Sequence, residues 1–233
     1  MLASPSLSIV VRKMKPTDAV QAARLITNVF IEREPIALRL KETVEETFPW
    51  AIDLARRSSN QNMSFVAEDL NRVMDARPML VGVGLSEAFV PHPAPGAVDA
   101  ADIWDVDYYE DPVSALLYGS EHTFLAQHYP DVLVSPQEAS KFAYFSAAAV
   151  HSDYEGIGLC RKLANEVLLA AKLSGYKKIW VHCSALGTQH LFLNRLGFEV
   201  KFKVNYDDFK WRGVRPYAGL LDPQECWLLD RTL

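Results

Sequence analysis

The segment from Phe142 to Ala171 constrains the chain most. Phe142 to Val150 is an apolar run that reads as a buried strand. His151-Ser152-Asp153-Tyr154-Glu155-Gly156-Ile157-Gly158 follows, a short turn holding two glycines. Leu159, Leu163, Val167 and Ala171 then recur every four residues, with Lys162, Glu166 and Lys172 on other faces. The order is strand, tight turn, helix. Such a turn leaves backbone N–H groups free at the positive end of a helix, where a phosphate can dock. A side chain in place of glycine would hold the phosphate away from the backbone. The glycines alone fit equally well a strand–helix connection that needs small residues.

Composition narrows the class. With 49% hydrophobic and 23% charged residues in 233, the chain matches an ordinary globular protein with a substantial core. No apolar run reaches the roughly 20 residues of a membrane span, so no membrane partner is expected. Met1 to Pro5 is short and is not followed by a basic–apolar–cleavage pattern. Three scattered cysteines, Cys160, Cys183 and Cys226, suit neither a disulfide framework nor a cysteine-rich metal site. A reducing cytoplasm and no metal are the expectations. A net charge of −5 argues against nucleic acid as a partner, because that needs a basic footprint.

Read in order, the chain alternates strands and helices. Ser8–Met14 is the first strand, Thr17 or Asp18 offers an N-cap, and Val20, Ala23, Leu25, Ile26 and Phe30 trace a helix. Pro35 ends it by pushing Glu34 out of the helical region. A second helix is expected within 36–58, broken or kinked at Pro49. Met63–Glu68 and Pro78–Val90 read as strands. Pro91 to Gly96 holds three prolines and a glycine and opens a long insertion over 91–112, which includes the acidic, aromatic stretch Asp102, Trp104, Asp105, Asp107, Tyr108, Tyr109 and Glu110. Val113–Tyr129 reads as a helix or two short ones, 131–138 as loop, Lys178–Cys183 as a strand and Gly187–Leu196 as a short helix. Strands at Phe198–Val204 and around Cys226–Leu229 close the chain. The pattern favours a mixed α/β sheet over helical or sandwich folds.

Registered on Val150, the turn Glu155-Gly156-Ile157-Gly158-Leu159-Cys160 resembles motif A of the GNAT N-acetyltransferases, Arg/Gln-x-x-Gly-x-Gly/Ala. Glu155 stands where that family prefers Arg or Gln, and Cys160 where it prefers Gly or Ala. Phe30-Ile31-Glu32-Arg33-Glu34-Pro35-Ile36 is similar to the Phe-x-x-Asp-Glu-Pro-Leu signature of the insect-type arylalkylamine (dopamine) N-acetyltransferases, with Arg33 for Asp and Ile36 for Leu. Cys183-Ser184 with Gln189–Phe198, and Phe202–Lys210 with Gly213 and Pro216, resemble two further blocks of that family.

The resemblance implies a single-domain acetyltransferase over 1–233, with a mixed central sheet, splayed parallel strands and flanking helices. The strand ending at Val150 and the strand Lys178–His182 would diverge around an acyl thioester. It implies acetyl-CoA as acyl donor and the primary amine of a small arylalkylamine as acceptor, joined directly in a ternary complex. Glu34 would be the base, and Ser184 would lie beside the thioester. Ala148 would stabilise the oxyanion through its N–H, and Val150 would bond the pantetheine arm. Ala149 lies between them in a run of alanines that permits close approach. Glu155, Gly156, Ile157, Gly158, Leu159 and Cys160 would hold the pyrophosphate. Polyamines or protein amines are the alternative acceptors, and a non-catalytic acyl-CoA-binding relative is the alternative class. Trp104, Tyr108, Tyr109, Tyr144 and Phe145 are available as aromatic walls for the amine. His151, His182 and Cys183 are read as structural.

Overall fold

The computed structural model describes residues 8–91 and 109–233. Trp104, Asp105, Asp107 and Tyr108 therefore lie outside the described residues, as does most of the expected 91–112 insertion.

The strands are β1 (Ile9–Lys13), β2 (Phe65–Met74), β3 (Arg77–Ala88), β4 (Phe142–Val150), β5 (Lys178–Cys183), β6 (Glu199–Asn205) and β7 (Glu225–Thr232). They form one open, mixed sheet of seven strands in the order β1-β2-β3-β4-β5-β7-β6. β4 and β5 pair in parallel, and their ladder runs from Phe142↔Lys178 to Phe145↔Val181. It stops there, although β4 continues to Val150 and β5 to Cys183. β5 pairs antiparallel with β7, and β7 with β6.

The helices are α1 (Ala19–Arg33), α2 (Pro35–Leu40), α3 (Val44–Ser59), α4 (Pro112–His128), α5 (Pro130–Val134), α6 (Pro136–Ala139), α7 (Leu159–Leu173) and α8 (Leu186–His190). Among the described residues, no helix is long and apolar enough to cross a membrane.

Several local expectations are corrected. The segment 36–58 is two helices, and the break is not at Pro49. α2 ends at Lys41, which adopts a left-handed φ of 58°. α3 then restarts on a capping box between Thr43 and Glu46. Pro49 lies inside α3, where the carbonyl it leaves unbonded belongs to Glu45, an exposed residue that water can reach. Neither Thr17 nor Asp18 opens α1 as an N-cap. A 3-10 turn, Pro16–Asp18, precedes it, and Asp18 turns back to accept from the Lys15 N–H at 2.7 Å and from Arg12. Residues 131–138 are the short helices α5 and α6, each with proline in its first turn. The helix expected over 187–196 is α8 followed by a wide π-type turn, Leu191–Arg195.

The chain divides into two compact units. The first takes residues up to Glu32, Thr43–Glu87 and Ser146–Ala171. Its core joins Ala22, Ile26, Leu54, Val66, Val83, Leu85, Ala147 and Ala149. Gly82 on β3 lets α7 approach closely, because a Cβ there would stand 2.9 Å from Leu163. The four residues that predict α7 from their spacing, Leu159, Leu163, Val167 and Ala171, are all buried. The second unit takes Arg33–Glu42, Ala88–Phe145 and Lys172–Leu233. One of its clusters centres on Trp180, fully buried among Phe89, Phe124 and Phe142. Another joins Ile36, Tyr109, Leu116, Tyr206, Phe209, Tyr217 and Cys226.

Candidate active site

Glu34 is held by the way α2 begins. Pro35 occupies the first helical position, which suits a residue without an N–H. That leaves Glu34 extended, at φ −76° and ψ 123°, as the N-cap. The Ala37 N–H donates to its Oε2 at 2.6 Å. Its other oxygen, Oε1, is buried and has no hydrogen-bond partner. Burial raises the pKa of Glu34 above the usual carboxylate value. The Ser184 side chain and the N–H groups of Ala37 and Ile36 oppose that rise, and the charge of Glu42 adds to it. Ser184 faces the carboxylate closely enough to favour its charge, while Oε1 has no hydrogen-bond partner. Thus Glu34 and Ser184, far apart in sequence, come together in one unit.

The surroundings of Glu34 are aromatic. Tyr206, Tyr217 and Cys226 all lie within electrostatic reach of its carboxylate. Tyr217 stacks on Phe209, with ring centres 5.4 Å apart, and meets Tyr206 edge-on at 5.7 Å. Burial pushes both phenols well above their usual values, and it pushes the Cys226 thiol up to about 12. Near neutral pH these three groups are uncharged, and the carboxylate is the group among them able to change charge.

The Ser184 backbone is fixed as well. The Tyr206 hydroxyl donates to its carbonyl at 3.3 Å. The buried Gln189 amide donates to the carbonyls of Cys183, at 3.1 Å, and Glu225, at 2.8 Å, tying α8 to the ends of β5 and β7.

Tyr144 and His182 face each other across β4 and β5. The Ser120 hydroxyl donates to the Leu117 carbonyl at 2.9 Å, so its oxygen can only accept from His182 Nε2, 3.0 Å away. Nε2 therefore carries the hydrogen in the neutral ring, and Nδ1 accepts from the Tyr144 hydroxyl at 3.1 Å. Burial raises the Tyr144 phenol well above its usual value, and Glu121, itself buried on α4, adds to the rise. Phe145 points elsewhere and packs on Phe192.

The glycine turn belongs to the first unit. Gly156 and Gly158 have φ values of +73° and +80°, and a Cβ built on either would meet nothing within 4 Å. Glycine is thus required by the backbone, and the space above it is open, as an approaching phosphate needs. As the first residues of α7, Leu159 and Cys160 present N–H groups that have no partner within the helix. Ile157 is exposed between the glycines. Glu155 is exposed to solvent. Burial pushes the Cys160 thiol up to about 11, so it stays neutral. The turn is fixed from below: the His151 N–H donates to the Val81 carbonyl at 2.9 Å, and the Asp153 N–H donates to His151 Nδ1 at 3.2 Å. Tyr154 donates to the buried Asp69 at 2.5 Å, and Arg72 donates to Asp153 at 2.9 Å. On β4, Ala147 and Ala149 face the core, while Ala148 and Val150 are half-exposed.

Sequence reasoning missed Ser120, Glu121 and Tyr217. None has a periodic or motif signal of its own. Gln189 was legible only as part of the Gln189–Phe198 block, and Tyr206 only as part of the Phe202–Lys210 block.

Residues 104–198 match the model of the acetyltransferase (GNAT) family. No curated protein matches in sequence. Among solved structures, the C-terminal condensation domain of Ebony in complex with beta-alanyl-dopamine superposes with a TM-score of 0.75 at 15% identity, covering 97% of this chain and 100% of that one. Arylalkylamine N-acetyltransferase 2 from Aedes aegypti gives 0.69 at 15% identity, over 97% and 99% of the two chains. The polyamine N-acetyltransferase of Drosophila melanogaster gives 0.61 at 16% identity, over 97% and 100%. At such identities the likeness is one of fold. The family match is confined to residues 104–198, and the likeness of fold extends over 97% of the chain.

Proposed function

We propose that this protein moves an acetyl group from acetyl-CoA to the primary amine of a small arylalkylamine, with Glu34 as the base. The observation that carries the reading is the buried, unpartnered Oε1 of Glu34 within a tyrosine-rich cluster. A carboxylate whose pKa is raised by burial is a stronger base than a solvated one.

The chemistry follows in order. A bound ammonium passes one proton to Glu34. The freed nitrogen lone pair attacks the thioester carbonyl, forming a C–N bond and an oxyanion. By the family resemblance, the oxyanion would take its hydrogen bond from the Ala148 N–H. The oxyanion then collapses and the C–S bond breaks; the coenzyme A thiolate takes up the proton shed by the acylated nitrogen, which leaves a neutral amide. Cys226 is a buried, protonated thiol and so a poor nucleophile, which favours direct transfer over an acyl-cysteine. The Glu155–Cys160 turn would hold the pyrophosphate, and Gly156 and Gly158 leave the room for it.

The aromatic cluster of Tyr109, Tyr206, Phe209 and Tyr217 supports an aryl-bearing acceptor. So do the names of two fold neighbours, an arylalkylamine N-acetyltransferase and a domain bound to beta-alanyl-dopamine. A second reading takes a polyamine as acceptor. One fold neighbour, a polyamine N-acetyltransferase, favours it.

Thiol release from acetyl-CoA with dopamine, tyramine, serotonin, tryptamine, spermidine and agmatine decides between them. Arylalkylamine-dependent release supports the first reading, and release with spermidine or agmatine alone supports the second. Coenzyme binding without release from any amine supports a non-catalytic relative.

A further inference from the structure

The structure leaves two buried polar atoms without partners in the cluster around Glu34. One is Glu34 Oε1 and the other is the Tyr217 hydroxyl. An unsatisfied buried hydroxyl is expensive and calls for an explanation. Tyr217 is fully buried, and its ring is fixed by Phe209 on one side and Tyr206 on another, so the hydroxyl cannot swing out to solvent. The charge of Glu34 acts on that phenol, as do the charges of Asp111 and Glu42 and the thiol of Cys226.

We propose that Tyr217 is the second contact of the acceptor nitrogen, so that Glu34 Oε1 and the Tyr217 hydroxyl together hold the amine. The proposal rests on the reading of Glu34 as the base. The two groups have different tasks. A carboxylate attracts the ammonium and takes its proton, but once protonated it holds the neutral amine less strongly. A phenol oxygen accepts from an N–H of both the ammonium and the amine. Tyr217 therefore keeps the nitrogen in place after the proton has gone, when its lone pair must reach the thioester carbon.

Tyr217→Phe tests this, because it keeps the ring and removes only the hydroxyl. For tyramine, kcat/KM should fall about 10- to 100-fold, the range expected for losing a hydrogen bond to a charged group, while the KM for acetyl-CoA stays unchanged. The melting temperature of the free protein should hold or rise, since an unsatisfied polar atom has been removed. A purely structural hydroxyl would lower it. Tyramine affinity, measured by calorimetry in the presence of coenzyme A, provides a readout independent of turnover. If wild type binds tyramine without turnover and Tyr217→Phe weakens that binding tenfold, the Tyr217 contact stands and the transferase reading fails. Unchanged tyramine affinity and kcat/KM in Tyr217→Phe, or wild type that binds no tyramine, overturns the proposal.

Discussion

The Ala37 N–H donates to Glu34 Oε2 at 2.6 Å, so the proposed base is also the N-cap of its own helix. One oxygen of the carboxylate is spent on the backbone, and the other is left buried and unpaired. The cap fixes the side chain without neutralising it. Proline at the next position makes this arrangement local: it ends α1, starts α2 and leaves Glu34 extended between them.

The pH dependence follows from burial. Glu34 titrates above the ordinary value of 4.5 because desolvation disfavours its charge. It must be ionised to act as a base, so kcat/KM rises with pH through that raised value. The effect on stability has the opposite sign. The folded protein holds this proton more tightly than the unfolded chain does. The contribution is fully present below the unfolded value and is lost as pH rises through the folded one. Glu34→Gln should abolish the acidic limb of the rate profile and flatten this part of the stability curve, as pH–rate and pH–melting series will show.

Gly158→Ala separates coenzyme binding from folding. The built Cβ has open space, so the cost to stability is the left-handed backbone alone, about 1–2 kcal/mol. The same methyl group stands where a phosphate would approach. Affinity for coenzyme A should fall at least tenfold, while amine binding is retained. Calorimetry with each ligand checks both halves.

Tyr154→Phe should weaken the seat of the glycine turn under acid conditions. The Tyr154 hydroxyl is the main cause of the lowered pKa of Asp69, with the Asn71 N–H second. A carboxylate depressed in this way contributes stability above its unfolded value and loses it as pH falls through the folded one. The melting temperature of the variant should therefore fall below that of wild type near neutral pH, with the gap closing toward strong acid. A gap that persists at low pH would point to packing instead.

Much of this was legible in the sequence because the signals were local. The strand Phe142–Val150, the glycine turn and the four buried positions of α7 follow from apolar spacing and from the backbone demands of glycine. Glu34 stood out by its place before Pro35. What could not be read depends on contacts distant in sequence. Tyr217 comes within electrostatic reach of Glu34 from the far end of the chain, in a segment with neither helix nor strand period. Ser120 and Tyr144 become partners of His182 only when α4, β4 and β5 assemble. Pro49 misled because proline usually ends a helix, while here its lost bond falls on an exposed turn.

The most direct test of the central claim compares wild type with Glu34→Gln in acetyl-CoA thiol release driven by tyramine. Glutamine keeps an oxygen for the Ala37 N–H and cannot take a proton. The account predicts tyramine-dependent release by wild type and a loss of about 10²- to 10⁴-fold in kcat at neutral pH, the usual scale for removing a general base, with the melting temperature preserved. Glu34→Gln that turns over tyramine as fast as wild type would contradict it.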